Sequence, residues 1–94
     1  MGRMKQLSPE ERRVARVALY EALEAGELDI ADTVRRMREV AGMTQAEFAA
    51  RVAGVSRLTL SQIERGEGNP TLETLSRIGA AFGLTLGFVP VRRP

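Results

Sequence analysis

Residues 44 to 66 read TQAEFAARVAGVSRLTLSQIERG, and this stretch decides the fold. Thr44 has the hydroxyl an N-cap needs, and Glu47 stands three residues on to complete a capping box. Phe48, Ala49 and Val52 then recur at helical spacing, so one face is buried. Ala53-Gly54-Val55 breaks the pattern, because glycine takes a positive φ without steric cost. Ser56 opens a second helix in which Leu60 and Ile63 face inward. Arg57, Leu58, Thr59, Ser61 and Gln62 are left for another surface, and Gly66 ends the helix.

Two short helices meeting at a glycine-containing turn form a helix-turn-helix, whose second helix can lie in the major groove of DNA. Thr44-Gln45, Gly54-Val55-Ser56 and Ile63-Glu64-Arg65-Gly66 resemble, in order, the phage-repressor or Xre-type family of bacterial DNA-binding proteins. Asn69-Pro70-Thr71-Leu72-Glu73-Thr74-Leu75 and Phe82-Gly83-Leu84 continue the match. The resemblance runs from about Val34 to Leu84, more than half of the chain.

The resemblance implies a mainly α, five-helix repressor-like domain, counting one extra N-terminal helix. It makes Arg57 and Leu58 the first base-facing residues and Gln62 a later one, with Thr59 or Ser61 flanking. Arg57 suits guanine and Gln62 adenine, each bidentate pair giving ~1 to 3 kcal/mol of discrimination. Gln45, at a helix N-terminus, is similar to the family's phosphate clamp. Ser56, Arg65, Asn69 and Arg36 are further phosphate candidates. Arg38 stands where many relatives pair an arginine with the glutamate late in the recognition helix, here Glu64, as a structural ion pair. One departure is local: Gly54 lies nine residues after Gln45, where most relatives have eight. Ala53 therefore looks inserted, which either extends the turn or rotates the first motif helix.

Ninety-four residues suit one domain, and a chain this short buries only roughly 60 to 65% of its unfolded surface. The core must be thin, with only Tyr20, Phe48, Phe82 and Phe88 as aromatics. There is no cysteine and no histidine, which removes disulfides, thiolate metal sites and the ordinary imidazole base. No metal or cofactor is expected. No apolar run approaches the ~20 residues that span a bilayer, and the N-terminus lacks a signal peptide's apolar segment. The expectation is a cytoplasmic protein with no membrane association. Residues 1 to 33 carry five basic and seven acidic side chains, net −2, whereas residues 34 to 94 carry nine and five, net +4. A basic part beside an acidic one suits a polyanion at one end and something else at the other.

Outward from the motif, residues 1 to 7 are expected to be disordered. Ser8-Pro9-Glu10-Glu11 is a strong helix start, giving an accessory helix over 8 to 26 with Val14, Val17, Ala18 and Leu23 as its apolar stripe. Two readings of it stay open: it packs on the domain or its dimer mate, or it docks another protein such as a toxin. A helix from Leu28 to Ala41 follows, with Ile30, Val34, Met37 and Ala41 at inward spacing, and begins the DNA-binding domain of residues 28 to 83. Glu67-Gly68-Asn69-Pro70 is a loop, and it is not a phosphate-binding loop, because the Lys and Ser/Thr of that motif are missing. Thr71 caps the last helix, with Leu72, Leu75, Ile78 and Phe82 inward.

Residues 84 to 94 form the tail. LTLGFVPV switches to two-residue periodicity, with Leu84, Leu86 and Phe88 on one side. A lone strand leaves its backbone groups unpaired, so pairing with a second copy is expected, as in some antitoxin-type relatives. Arg92 and Arg93 are then solvated and within reach of a phosphate.

These features favour a homodimeric, sequence-specific transcriptional repressor that reads an inverted repeat in double-stranded DNA. The alternative is an antitoxin that binds a protein toxin and represses its own operon. An enzyme is the weakest reading: Ser56, Ser61 and Ser76 have no histidine beside them, and Lys5 is the only lysine.

Overall fold

The structure is a computed structural model that describes residues 7 to 91. The expectations for residues 1 to 6, Arg92 and Arg93 lie outside the described residues. Five helices succeed one another: α1 (Pro9–Glu24), α2 (Ile30–Ala41), α3 (Gln45–Phe48, continuing as a π-helical turn over Ala49–Ala53), α4 (Arg57–Glu64) and α5 (Leu72–Ala80).

The helix starts follow from local chemistry. Ser8 and Thr44 each accept from the backbone N–H three residues on, and Glu11 and Glu47 return the bond, closing two capping boxes. Asp29, Ser56 and Thr71 cap α2, α4 and α5 through their side-chain oxygens. A good N-cap contributes about 1 kcal/mol, so the registers of all five helices are set by residues within one turn of each start.

The core gathers Leu19 from α1, Val34, Met37 and Val40 from α2, and Phe48, Ala49 and Ala53 from α3 and its π turn. Leu60 and Ile63 from α4, with Ile78 and Phe82 from α5 and its C-terminal turn, complete it. The Phe48 and Phe82 rings pack with centroids 6.4 Å apart and planes tilted by 39°, within the range favoured by aromatic pairs. In α2 it is Val40, rather than Ile30, that joins the core; Ile30 is half exposed at the first turn. In α5, Leu72 lies at the surface.

The buried face of α1 differs from the expected stripe. Val14 and Val17 are 60% and 50% exposed, and Ala18 is exposed as well. Of the expected stripe only Leu23 packs, and it does so with the opposite face, where Leu19 is fully buried with Ala15 and Tyr20 beside it. The helix carries apolar residues on both sides, so periodicity alone could not choose between them. Tertiary partners choose: the Tyr20 hydroxyl donates to the Phe82 carbonyl at 2.6 Å, and the Arg16 guanidinium lies 5.6 Å from the centre of the Phe82 ring. Helix α1 is thereby locked against the end of α5.

The expected C-terminal strand is not formed. Residues 84 to 91 have no regular secondary structure, and no strand exists among the described residues. The physical reason is the one the pattern raised: a strand needs a neighbour, and every regular element among the described residues is helical. Leu84 packs against the core, Leu86 is 43% exposed, and Phe88 is fully exposed.

Candidate nucleic-acid interface

Helix α4 separates its residues cleanly. Leu60, Ile63 and Glu64 are buried, while Arg57, Leu58, Ser61, Gln62 and Arg65 lie at spacings of one, three and four residues and so share the opposite face. Leu58 is 63% exposed. Thr59 stands at the edge of this face, and its hydroxyl accepts a 3.0 Å bond from Ser56. Ser56 itself is used as the N-cap, accepting from the Thr59 backbone N–H at 3.1 Å. Ser61 accepts a short hydrogen bond from Arg65, which also reaches Glu67 at 3.2 Å. Gln62 lies against the Gly68 loop beside Asn69, its Oε1 3.7 Å from where a Gly68 Cβ would stand.

Glu64 holds this helix in place from behind. Arg38 Nε donates to Glu64 Oε2 at 2.7 Å and Arg38 Nη2 to Oε1 at 3.0 Å, a bidentate pair. Gln45 Nε2 donates to the same Oε1 at 3.1 Å, and Arg35 Nη1 donates to the Glu64 carbonyl at 2.9 Å. One residue therefore ties α2, α3 and α4 together. Gln45, expected at the phosphate backbone, is half-buried and turned toward Glu64. Arg36 is half-buried and Asn69 exposed.

The turn between α3 and α4 accommodates the extra residue as a π turn. The N–H of Gly54 donates to the Ala49 carbonyl, five residues back, at 2.8 Å, and Val55 adds a 3.1 Å bond to the same oxygen. A π turn holds one residue more than an α turn, and Ala49 and Ala53 at its two ends are both in the core. Gly54 has φ of 69°, a left-handed conformation natural to glycine. Two further contributors have no local sequence signal. Arg35 caps α4 from a distance, and Arg77 of α5 lies over Gly54.

No helix among the described residues is long and apolar enough to cross a membrane. Residues 34 to 89 match the helix-turn-helix family model, so the chain belongs to the Xre-type helix-turn-helix family. It is 38% identical over 55 residues to an uncharacterized HTH-type transcriptional regulator of Haemophilus influenzae, covering 58% of this chain and 55% of that protein. It is 44% identical over 50 residues to the uncharacterized HTH-type transcriptional regulator y4dJ of Sinorhizobium fredii, covering 53% and 64%. A third relative, the HTH-type transcriptional regulator DdrOP3 of Deinococcus deserti, is 32% identical over 59 residues, 63% of this chain and 45% of its own. The matched region thus spans about half to two thirds of these relatives. No solved structure gives a significant match.

Proposed function

We propose that this chain is a sequence-specific DNA-binding transcriptional regulator that represses by occupying an operator in the cytoplasm. The observation that carries the reading is the outer face of α4, where Arg57 and Leu58 are exposed and Ser61 and Gln62 half-buried, on a helix fixed from behind through Glu64. In the major groove Arg57 would read guanine and Gln62 adenine, while Leu58 offers apolar contact to a thymine methyl. Thr59 flanks them. Ser56, Arg65, Asn69 and Arg36 are the phosphate set. Gln45 joins it through the second N–H of its amide, since a glutamine side chain has two donors and Glu64 takes one.

The regulator acts as a homodimer, with Leu84, Leu86 and Phe88 at the subunit interface. Full exposure of Phe88 and 77% exposure of Val89 support this, because an aromatic side chain is stabilised by burial. Selection of sites from a random duplex pool tests the reading. A pseudo-palindrome with half-sites about one helical turn, ~34 Å, apart is expected, and five base pairs inserted at its centre abolish tight binding. Enrichment of nothing at low salt, where phosphate contacts are strongest, overturns it.

The antitoxin reading is favoured by a different observation, the exposed Val14 and Val17 on the outer face of α1. There a toxin would cover the valines, and co-purification with the product of a neighbouring gene, lost in Val14→Asp/Val17→Asp, separates the two readings.

A further inference from the structure

Arg77 sits on α5, far along the chain from the recognition helix, yet the fold carries its guanidinium to the turn of the motif. Its Nη1 lies 1.9 Å, and its Cζ 3.1 Å, from the point where a Cβ on Gly54 would stand. The charged group therefore rests directly on the Gly54 backbone, two residues before the Ser56 cap of α4. Three arginines around the motif are engaged, Arg35 with Asp32 and the Glu64 carbonyl, Arg38 with Glu64, and Arg65 with Ser61 and Glu67; what sets Arg77 apart from the others is its contact with the Gly54 turn. The Arg77 guanidinium makes no hydrogen bond or ion pair among the described residues, and the residue is exposed. An exposed guanidinium confined against backbone beside the start of the groove-reading helix is already ordered for a planar, bidentate anion such as a phosphodiester.

We infer that Arg77 contacts a DNA backbone phosphate and acts as a positioning residue that seats the N-terminal end of α4 in the groove; this rests on the DNA-binding reading above. The bareness of Gly54 has a second use in this arrangement, since any side chain there would push the guanidinium away.

The test measures affinity of the full chain for a selected duplex and for an unrelated duplex across a salt series. Wild type, Arg77→Gln, Arg77→Lys and Arg57→Ala are compared, with thermal melts of each. Arg77→Gln is expected to weaken binding to both duplexes by the same factor and to reduce the slope of log K against log salt by about 0.9. Arg77→Lys keeps the slope, because the charge remains. An unchanged slope in Arg77→Gln, whatever happens to melting temperature, overturns the assignment while leaving Arg57-dependent recognition standing. If wild type binds neither duplex, the DNA-binding reading itself falls, and the role of Arg77 with it.

Discussion

Arg38 and Glu64, on helices α2 and α4, form a bidentate ion pair with N–O distances of 2.7 and 3.0 Å, and only 14% and 4% of their side chains remain exposed. The pair fixes the angle at which α4 leaves the core. Truncating one partner strands the other charge in a site of low polarisability, a loss of about 3 to 5 kcal/mol for a buried pair. Arg38→Met is therefore expected to lower the melting temperature by roughly 12 °C or more, at ~4 to 8 °C per kcal/mol for a domain of this size. Arg38→Met/Glu64→Leu recovers much of the loss, since well-packed apolar substitutes for a buried pair are often neutral. Thermal melts of both single variants and the double variant measure the coupling.

The two faces of α1 make opposite predictions. Leu19 is fully buried, so Leu19→Ala costs about 2 to 5 kcal/mol. Val17 is half exposed, so Val17→Ser stays within about 0.5 kcal/mol of wild type. Urea denaturation of the pair distinguishes this packing from one in which the Val14 and Val17 stripe faces inward.

At Gly54 an alanine is strained twice, by the positive φ of 69° and by the Arg77 guanidinium over its Cβ. The backbone part alone is about 1 to 2 kcal/mol. Gly54→Ala should unfold at correspondingly lower urea, and Gly54→Ala/Arg77→Ala should regain only the part due to the clash.

If the π turn over Ala49–Ala53 holds the extra residue, deleting Ala53 lets it revert to α geometry without rotating α3 or α4. The deletion variant is expected to keep native far-ultraviolet circular dichroism and to fold cooperatively. Deleting Arg36 from the middle of α2 turns every later residue of that helix by ~100° and should abolish folding. A ΔAla53 protein that fails to fold would show that the π turn is required rather than accommodating.

What was legible in the sequence was local. Ser8, Asp29, Thr44, Ser56 and Thr71 announce helix starts because a cap acts within three residues. The partition of α4 follows from its period for the same reason. The inward face of α1 was hidden because both of its sides carry apolar residues, and only contact with Phe82 selects one. The π turn was visible as a change in spacing, but spacing cannot say whether a residue is taken up by the turn or by the helix. Gln45 turning to Glu64 and Arg77 reaching Gly54 are long-range contacts, created when the helices pack. The tail shows the other limit, since two-residue periodicity describes a side-chain pattern and not the neighbour a strand needs.

Whether α4 reads bases is measured by the affinities of wild type and Arg57→Ala for the selected site and for every single base-pair change within it. Arg57→Ala is expected to lose ~1 to 3 kcal/mol of discrimination at one G·C pair per half-site, keeping its preferences elsewhere. If Arg57→Ala weakens all sequences equally, or changes nothing, the face of α4 described here is not what recognises DNA.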